Sequence, residues 1–213
     1  MSLILFQQAL KALGYDPGPV DGVWGTNTDK ATIALWHARG APGAVPVKPP
    51  VTAPAKGVMI YQGAARYPVD EIVLHCSDTR PDWMMGGSFG LAHRFRELRR
   101  WHMEDRGWSD IGYHWVIDRD GEFMPGRAET TIGAGVLGHN SGVIHICLLG
   151  GYGSAETDHF AEHFTAVQAS AVLSLIGSIS GRTRITRISG HNEWAAKACP
   201  GFYVPAWLKE QAA

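Results

Sequence analysis

The chain has 213 residues, 45% hydrophobic and 18% charged, enough for one larger domain with a real core plus a small satellite. Lys and Arg total 19 against 20 Asp and Glu, which excludes the broad basic footprint of sequence-independent nucleic-acid binding. No stretch approaches the roughly 20 apolar residues that span a bilayer, and three cysteines at scattered spacings argue against a disulfide framework.

At the N-terminus, Leu3, Phe6, Leu10 and Leu13 fall at helical spacing and Gly14 stops that helix. This segment lacks a signal-peptide cleavage pattern, so the expectation is a chain made in the cytoplasm without a leader. The stretch YDPGPVDGVWGTNT is dense in turn formers and holds Trp24 on a constrained loop, after which Thr28 to Ala38 repeats a helical pattern. Residues 1–40 therefore read as a small helical module. Residues 41–57 are a Pro/Ala-rich run that cannot pack a core and favours an extended, semi-stiff linker, leaving 58–213 as the larger domain.

In that larger domain, EIVLHCSDT predicts a short strand with Val73 and His75 on one face and Leu74 and Cys76 on the other. Leu91, Phe95, Leu98 and His102 mark a helix face ending near Gly107, and GYHWVIDRDGEF predicts a hairpin turning at Asp120-Gly121. GVIHICLLGG predicts a buried strand. Thr165 with Gln168 forms a capping box for a helix through Val172, Leu175 and Ile179 to Gly181, and RITRIS predicts a last strand. The fold class is α/β, a mixed central sheet flanked by helices.

A catalytic zinc site takes three ligands from His, Cys or carboxylates and keeps a fourth position for water. His75 near the end of its strand, with His191 and Cys199 in GHNEWAAKACPG, make one such set. Taken singly, a strand histidine is more often a core residue and a lone cysteine a small hydrophobe. Lys197 on residue type alone reads as a solvated lysine, and Tyr113 as a strand aromatic. His159, Glu162 and His163 fit the H-x-x-E-H pattern of a different metal site. Such a site needs a distant third carboxylate in a large domain, so these residues read as a polar helix start. Cys76, on the strand face opposite His75, and Cys147 read as core.

The segments HCSDT, RRWHMEDRGWSDIGYHWVIDRDGEFMPGR, GHNS before ICLLGG, and GHNEWAAKACPG occur in this order over most of residues 70–208. Together they resemble the amidase-type lysozymes of tailed phages and, more distantly, the peptidoglycan recognition proteins. That resemblance implies a zinc-dependent N-acetylmuramoyl-L-alanine amidase, with His75, His191 and Cys199 as ligands, Tyr113 as the active-site tyrosine and Lys197 as the catalytic lysine. A cysteine at 199 favours an enzyme over a non-catalytic recognition protein, which typically lacks it. The chain departs from the family at Gly133-Ala134, where a His-Ala pair is usual, so one substrate-contacting histidine is missing there. His139 and Asn140 of GHNS are candidates to contact the stem peptide or sugar in its place, a turn role being the alternative.

Residues 3–40 resemble the three-helix peptidoglycan-binding domain fused to many wall hydrolases, with Trp24 divided between a small core and ligand contact. The expectation is an endolysin-type hydrolase of bacterial peptidoglycan, monomeric, with zinc its cofactor and no role for nucleic acid or membrane insertion. A recognition protein, or a zinc endopeptidase cutting within the stem peptide, are the alternatives.

Overall fold

The computed structural model describes residues 3–20, 27, 31, 59–84 and 90–212. Trp24, most of the second expected helix and the linker lie outside them. The chain divides into two compact units, Met1–Val45 and Pro46–Ala213.

In the first unit, helix α1 spans Leu3–Ala12 and buries Leu10. Gly14 follows it at a φ of 86°, a left-handed turn that glycine adopts without a Cβ penalty and that lets the Tyr15 amide reach the Leu10 carbonyl at 3.0 Å. Gln7, also buried, donates to the Pro19 carbonyl at 3.2 Å and ties the helix to the turn-rich segment after it.

The second unit is built on a five-stranded sheet. Its strands are β3 (Glu71–Cys76), β4 (Trp115–Ile117), β5 (Phe123–Pro125), β6 (Val143–Leu148) and β7 (Arg187–Gly190), after a small β1–β2 ribbon at Tyr61–Gln62 and Tyr67–Pro68. Their order is β5-β4-β6-β3-β7, all parallel except β5, which pairs antiparallel with β4. Strands β3 and β6 are buried at every residue, as expected of central parallel strands covered on both faces. The last strand is shorter than RITRIS suggests. The Thr186 and Arg187 amides still bond the Asp70 carbonyl, and the ladder with β3 runs from Arg187.

One face carries the main core. Helix α4 (Ala166–Ser180) buries Val172, Leu175, Ile176 and Ile179 at helical spacing, in one cluster with Ile72, Leu74, Ile144, Ile146 and Leu148. Each such aliphatic side chain contributes about 1.5 to 3 kcal/mol on full burial. The helix starts where expected, with Thr165 accepting from the Gln168 amide at 3.2 Å and Gln168 Oε1 accepting from the Thr165 amide at 3.1 Å. Helix α5 (Val204–Ala212) adds Trp207 to an aromatic group with Phe160, Phe164 and Phe202.

On the other face, helix α2 (Leu91–Arg100) places Leu91 and Leu98 in a cluster with Val116 of β4 and Cys147 of β6. The helix widens into a π turn over Trp101–Asp105, so His102 lies on a π turn rather than on the regular helix its spacing predicts. Register puts Val73 of β3 opposite His145 of β6, so His75, Val73 and His145 rise from this same face.

Candidate active site

His75 and His191 come from neighbouring parallel strands. His75 is the penultimate residue of β3, and His191 directly follows β7 in a short 3-10 turn, His191–Glu193. Both lie at the carboxyl ends, where parallel sheets gather ligand-binding residues. Cys199 arrives from the loop beyond, folded back by the Asn192 amide donating to the Cys199 carbonyl at 2.7 Å. Its Sγ then accepts from the Cys76 amide at 3.2 Å.

The ligand atoms of His75, His191 and Cys199 all lie within 4.8 Å of one another. Cys199 Sγ is 3.8 Å from His75 Nδ1, and the His75 and His191 rings are 4.9 Å apart. His75 is buried while His191 and Cys199 are half-buried, so the cluster meets solvent on one side. Burial, and then the His191, His114 and His102 rings, hold His75 well below the ordinary histidine range. Burial and the Lys197 charge lower His191 as well. Both imidazoles are therefore neutral near pH 7, as ligands must be. The thiol of Cys199 is pushed up by its hydrogen bond to Cys76 and by burial, and coordination of a cation would reverse that. Two imidazoles and one thiol of this spacing form a donor set that can hold a divalent metal ion with a coordination position open.

Tyr113 stands beside this cluster, its ring 5.1 Å from that of His75. Burial, then the neighbouring cysteines, raises its hydroxyl well above the ordinary range, so it stays protonated. Its place is set by residues that sequence reasoning missed. His102 Nδ1 accepts from the Gly112 amide at 3.1 Å, and Arg127 donates to the carbonyls of Ile111 at 2.6 Å, Ile132 at 3.0 Å and Asp110 at 3.2 Å. Lys197 is exposed in the loop between His191 and Cys199, with its amide bonded to the Ala195 carbonyl at 2.8 Å.

The other sequence candidates are occupied within the fold. His139 Nε2 lies 2.8 Å from Glu71 Oε2, and its ring stacks on Trp194 at 3.6 Å. Glu71 also accepts from Ser189 Oγ at 2.5 Å and from Trp194 Nε1 at 3.0 Å. Asn140 Oδ1 accepts from the Val136 amide at 2.9 Å, closing a turn. In the H-x-x-E-H segment, Glu162 accepts from the His159 amide at 2.7 Å and His163 Nε2 sits 2.7 Å from Asp158 Oδ2. These bonds cap a one-turn helix, α3 (Phe160–His163), separate from α4. Cys76 and Cys147 belong to the two main cores.

His145 was also missed. Its Nδ1 lies 3.0 Å from His75 Nε2, on the buried side of that ring. The available signal was strand parity, which puts His145 and Cys147 on one face of GVIHICLLGG; only the register with β3 gives that face its meaning.

A family model described as N-acetylmuramoyl-L-alanine amidase matches residues 65–202, and one described as a peptidoglycan binding domain matches residues 2–34. The endolysin of Escherichia phage T7 is 36% identical over 145 residues, covering 68% of this chain and 89% of its own length. That of Enterobacteria phage T3 is 34% identical over 145 residues, with the same coverage. Among solved structures, the N-acetylmuramoyl-L-alanine amidase LysC from Clostridium intestinale superposes with a TM-score of 0.54 at 20% identity, over 76% of this chain and 97% of that one, a likeness of fold. The model match spans well over half of the chain and the phage endolysins align along most of their own length, so this chain belongs to the N-acetylmuramoyl-L-alanine amidase family.

Proposed function

We propose that the chain is an endolysin-type, zinc-dependent amidase that cuts the bond between N-acetylmuramic acid and the L-alanine of the stem peptide. The observation that carries this reading is the convergence of His75, His191 and Cys199 within 4.8 Å beside a solvent-facing side. Zinc held there would lower the pKa of a bound water toward neutrality and polarise the scissile carbonyl.

The chain's own residues supply the rest. As the amide carbon becomes tetrahedral, negative charge gathers on its oxygen, and the Lys197 ammonium, on the loop between two ligands, neutralises it. The protonated Tyr113 hydroxyl, at the wall of the site, orients the attacking water or passes a proton toward the leaving nitrogen. No nucleophilic side chain is required.

The N-terminal module, residues 1–40 with Trp24 among its candidate contacts, grips the same polymer, and the linker 41–57 keeps the catalytic domain at high local concentration on it. The protein acts on the host wall after release from the cytoplasm, as a monomer.

Purified sacculi digested with and without a chelator, and analysed by mass, test this reading. The expected products are free stem peptides with a new L-alanine N-terminus, lost when the chelator is present. Products cut within the stem would make the protein an endopeptidase, and zinc uptake with no cleavage would make it a recognition protein. Cys199→Ser should lose zinc and wall hydrolysis while keeping wall binding; full hydrolysis in that variant would refute the ligand set.

A further inference from the structure

His145 has no part in the ligand set, in the oxyanion contact or in the proton transfer, yet it touches the centre of the site. Its Nδ1 is 3.0 Å from His75 Nε2, while His75 Nδ1 faces Cys199 Sγ at 3.8 Å. An imidazole that offers its Nδ1 lone pair to a cation carries its own proton on Nε2. For His75 that proton points at His145 Nδ1, which must then be the bare, accepting nitrogen.

His145 is completely buried, and its Nε2 has no hydrogen-bond partner among the described residues. An aliphatic side chain would fill the same space without burying a lone polar atom, so packing does not explain a histidine here. The surrounding backbone is shaped to the ring. A Cβ on Gly133 would come within 2.4 Å of His145 Cδ2, and one on Gly135 within 2.6 Å of His145 Nδ1 and 2.8 Å of His75 Nε2. The His145 amide in turn donates to His114 Nδ1 at 2.9 Å, and His114 Nε2 lies 2.9 Å from the Thr131 carbonyl.

We propose that His145 is the positioning residue of the metal site: it accepts the Nε2 proton of His75 and so aims the Nδ1 lone pair of His75 at the ion, with Gly133 and Gly135 providing clearance for the pair. This inference rests on the metal-site reading above.

The test uses the full chain and zinc alone. Affinity is measured by competition with a chelating dye for the wild type, His145→Leu, His145→Asn and Cys199→Ser, after the melting curve of each zinc-free chain confirms folding. His145→Leu should weaken zinc binding by about 10- to 100-fold. His145→Asn, whose Oδ1 takes the place of Nδ1, should recover most of that loss. Long-range nitrogen–proton correlation NMR on the zinc-loaded wild type needs no variant and should find His75 protonated at Nε2 and coordinated through Nδ1. Equal affinity of the Leu variant and the wild type, or coordination through His75 Nε2, would overturn the proposal. Zinc binding that Cys199→Ser leaves untouched would instead bring down the ligand set itself, a failure separable from that of His145.

Discussion

At the scale of single residues, the proposed mechanism sets three groups able to hold a metal beside one exposed cation. His75 is buried and His191 and Cys199 are half-buried, whereas Lys197 is exposed and lies outside that group of donors. On that mechanism, Lys197→Ala should keep its zinc but lose about 2 to 4 kcal/mol of transition-state stabilisation, roughly a 30- to 1,000-fold fall in turnover. Steady-state kinetics on a soluble muropeptide, with the bound metal assayed in parallel, checks both halves; unchanged turnover would remove Lys197 from the mechanism. His139 illustrates what residue type alone cannot reveal. A histidine in GHNS has the chemistry to touch a sugar or peptide, but this one is held between the Glu71 carboxylate and the Trp194 ring, and Arg187 covers that indole at 4.3 Å.

At the scale of elements, helix α2 is fastened to the sheet by more than its apolar stripe. Arg94 of α2 and Asp118, just past β4, are both buried, joined from Arg94 Nε to Asp118 Oδ2 at 3.0 Å and by a second, closer contact from Nη2. Arg94 also donates to the Met84 carbonyl at 3.0 Å. Removing one partner of a buried pair strands the other charge, so Asp118→Ala should cost about 3 to 5 kcal/mol. Urea unfolding measures this, and the double variant Asp118→Ala with Arg94→Leu should regain part of the loss; additive losses would show that the pair is not the coupling element. The same helix carries the π turn whose His102 holds the Gly112 amide beside Tyr113. The 3.6-residue period in the sequence predicts a helix running to Gly107, but an extra residue in a turn leaves no periodic trace, because it depends on what the turn packs against.

At the scale of the whole molecule, buried neutral histidines link folding to acidity. Burial is the leading cause that holds His102 and His114 at about 4 against an ordinary 6.5. Lowered histidine values mean that the unfolded chain takes up protons that the folded chain refuses. Stability is then complete above pH 6.5 and falls as the pH drops toward 4, each ring contributing on the order of 3 kcal/mol to that loss. Denaturant titrations of the zinc-free chain between pH 7.5 and 4.5 should trace the decline; a flat profile would mean the two rings are not held neutral in the fold. Much of the molecule was legible beforehand. The strand around His75, the capping box at Thr165, the hairpin and the mixed α/β sheet follow from local period and turn chemistry, whereas His75, His191 and Cys199 were singled out as a ligand set by the family resemblance. What the sequence alone determined was therefore the menu: which segments are strands or helices, and which side chains are able to bind a metal. The tertiary structure decided which nitrogen of His75 faces Cys199, that His145 backs it from 70 residues away, and that His139 is tied to Glu71. Period and propensity act within a few residues, whereas these contacts exist only once parallel strands distant in sequence are aligned in one register.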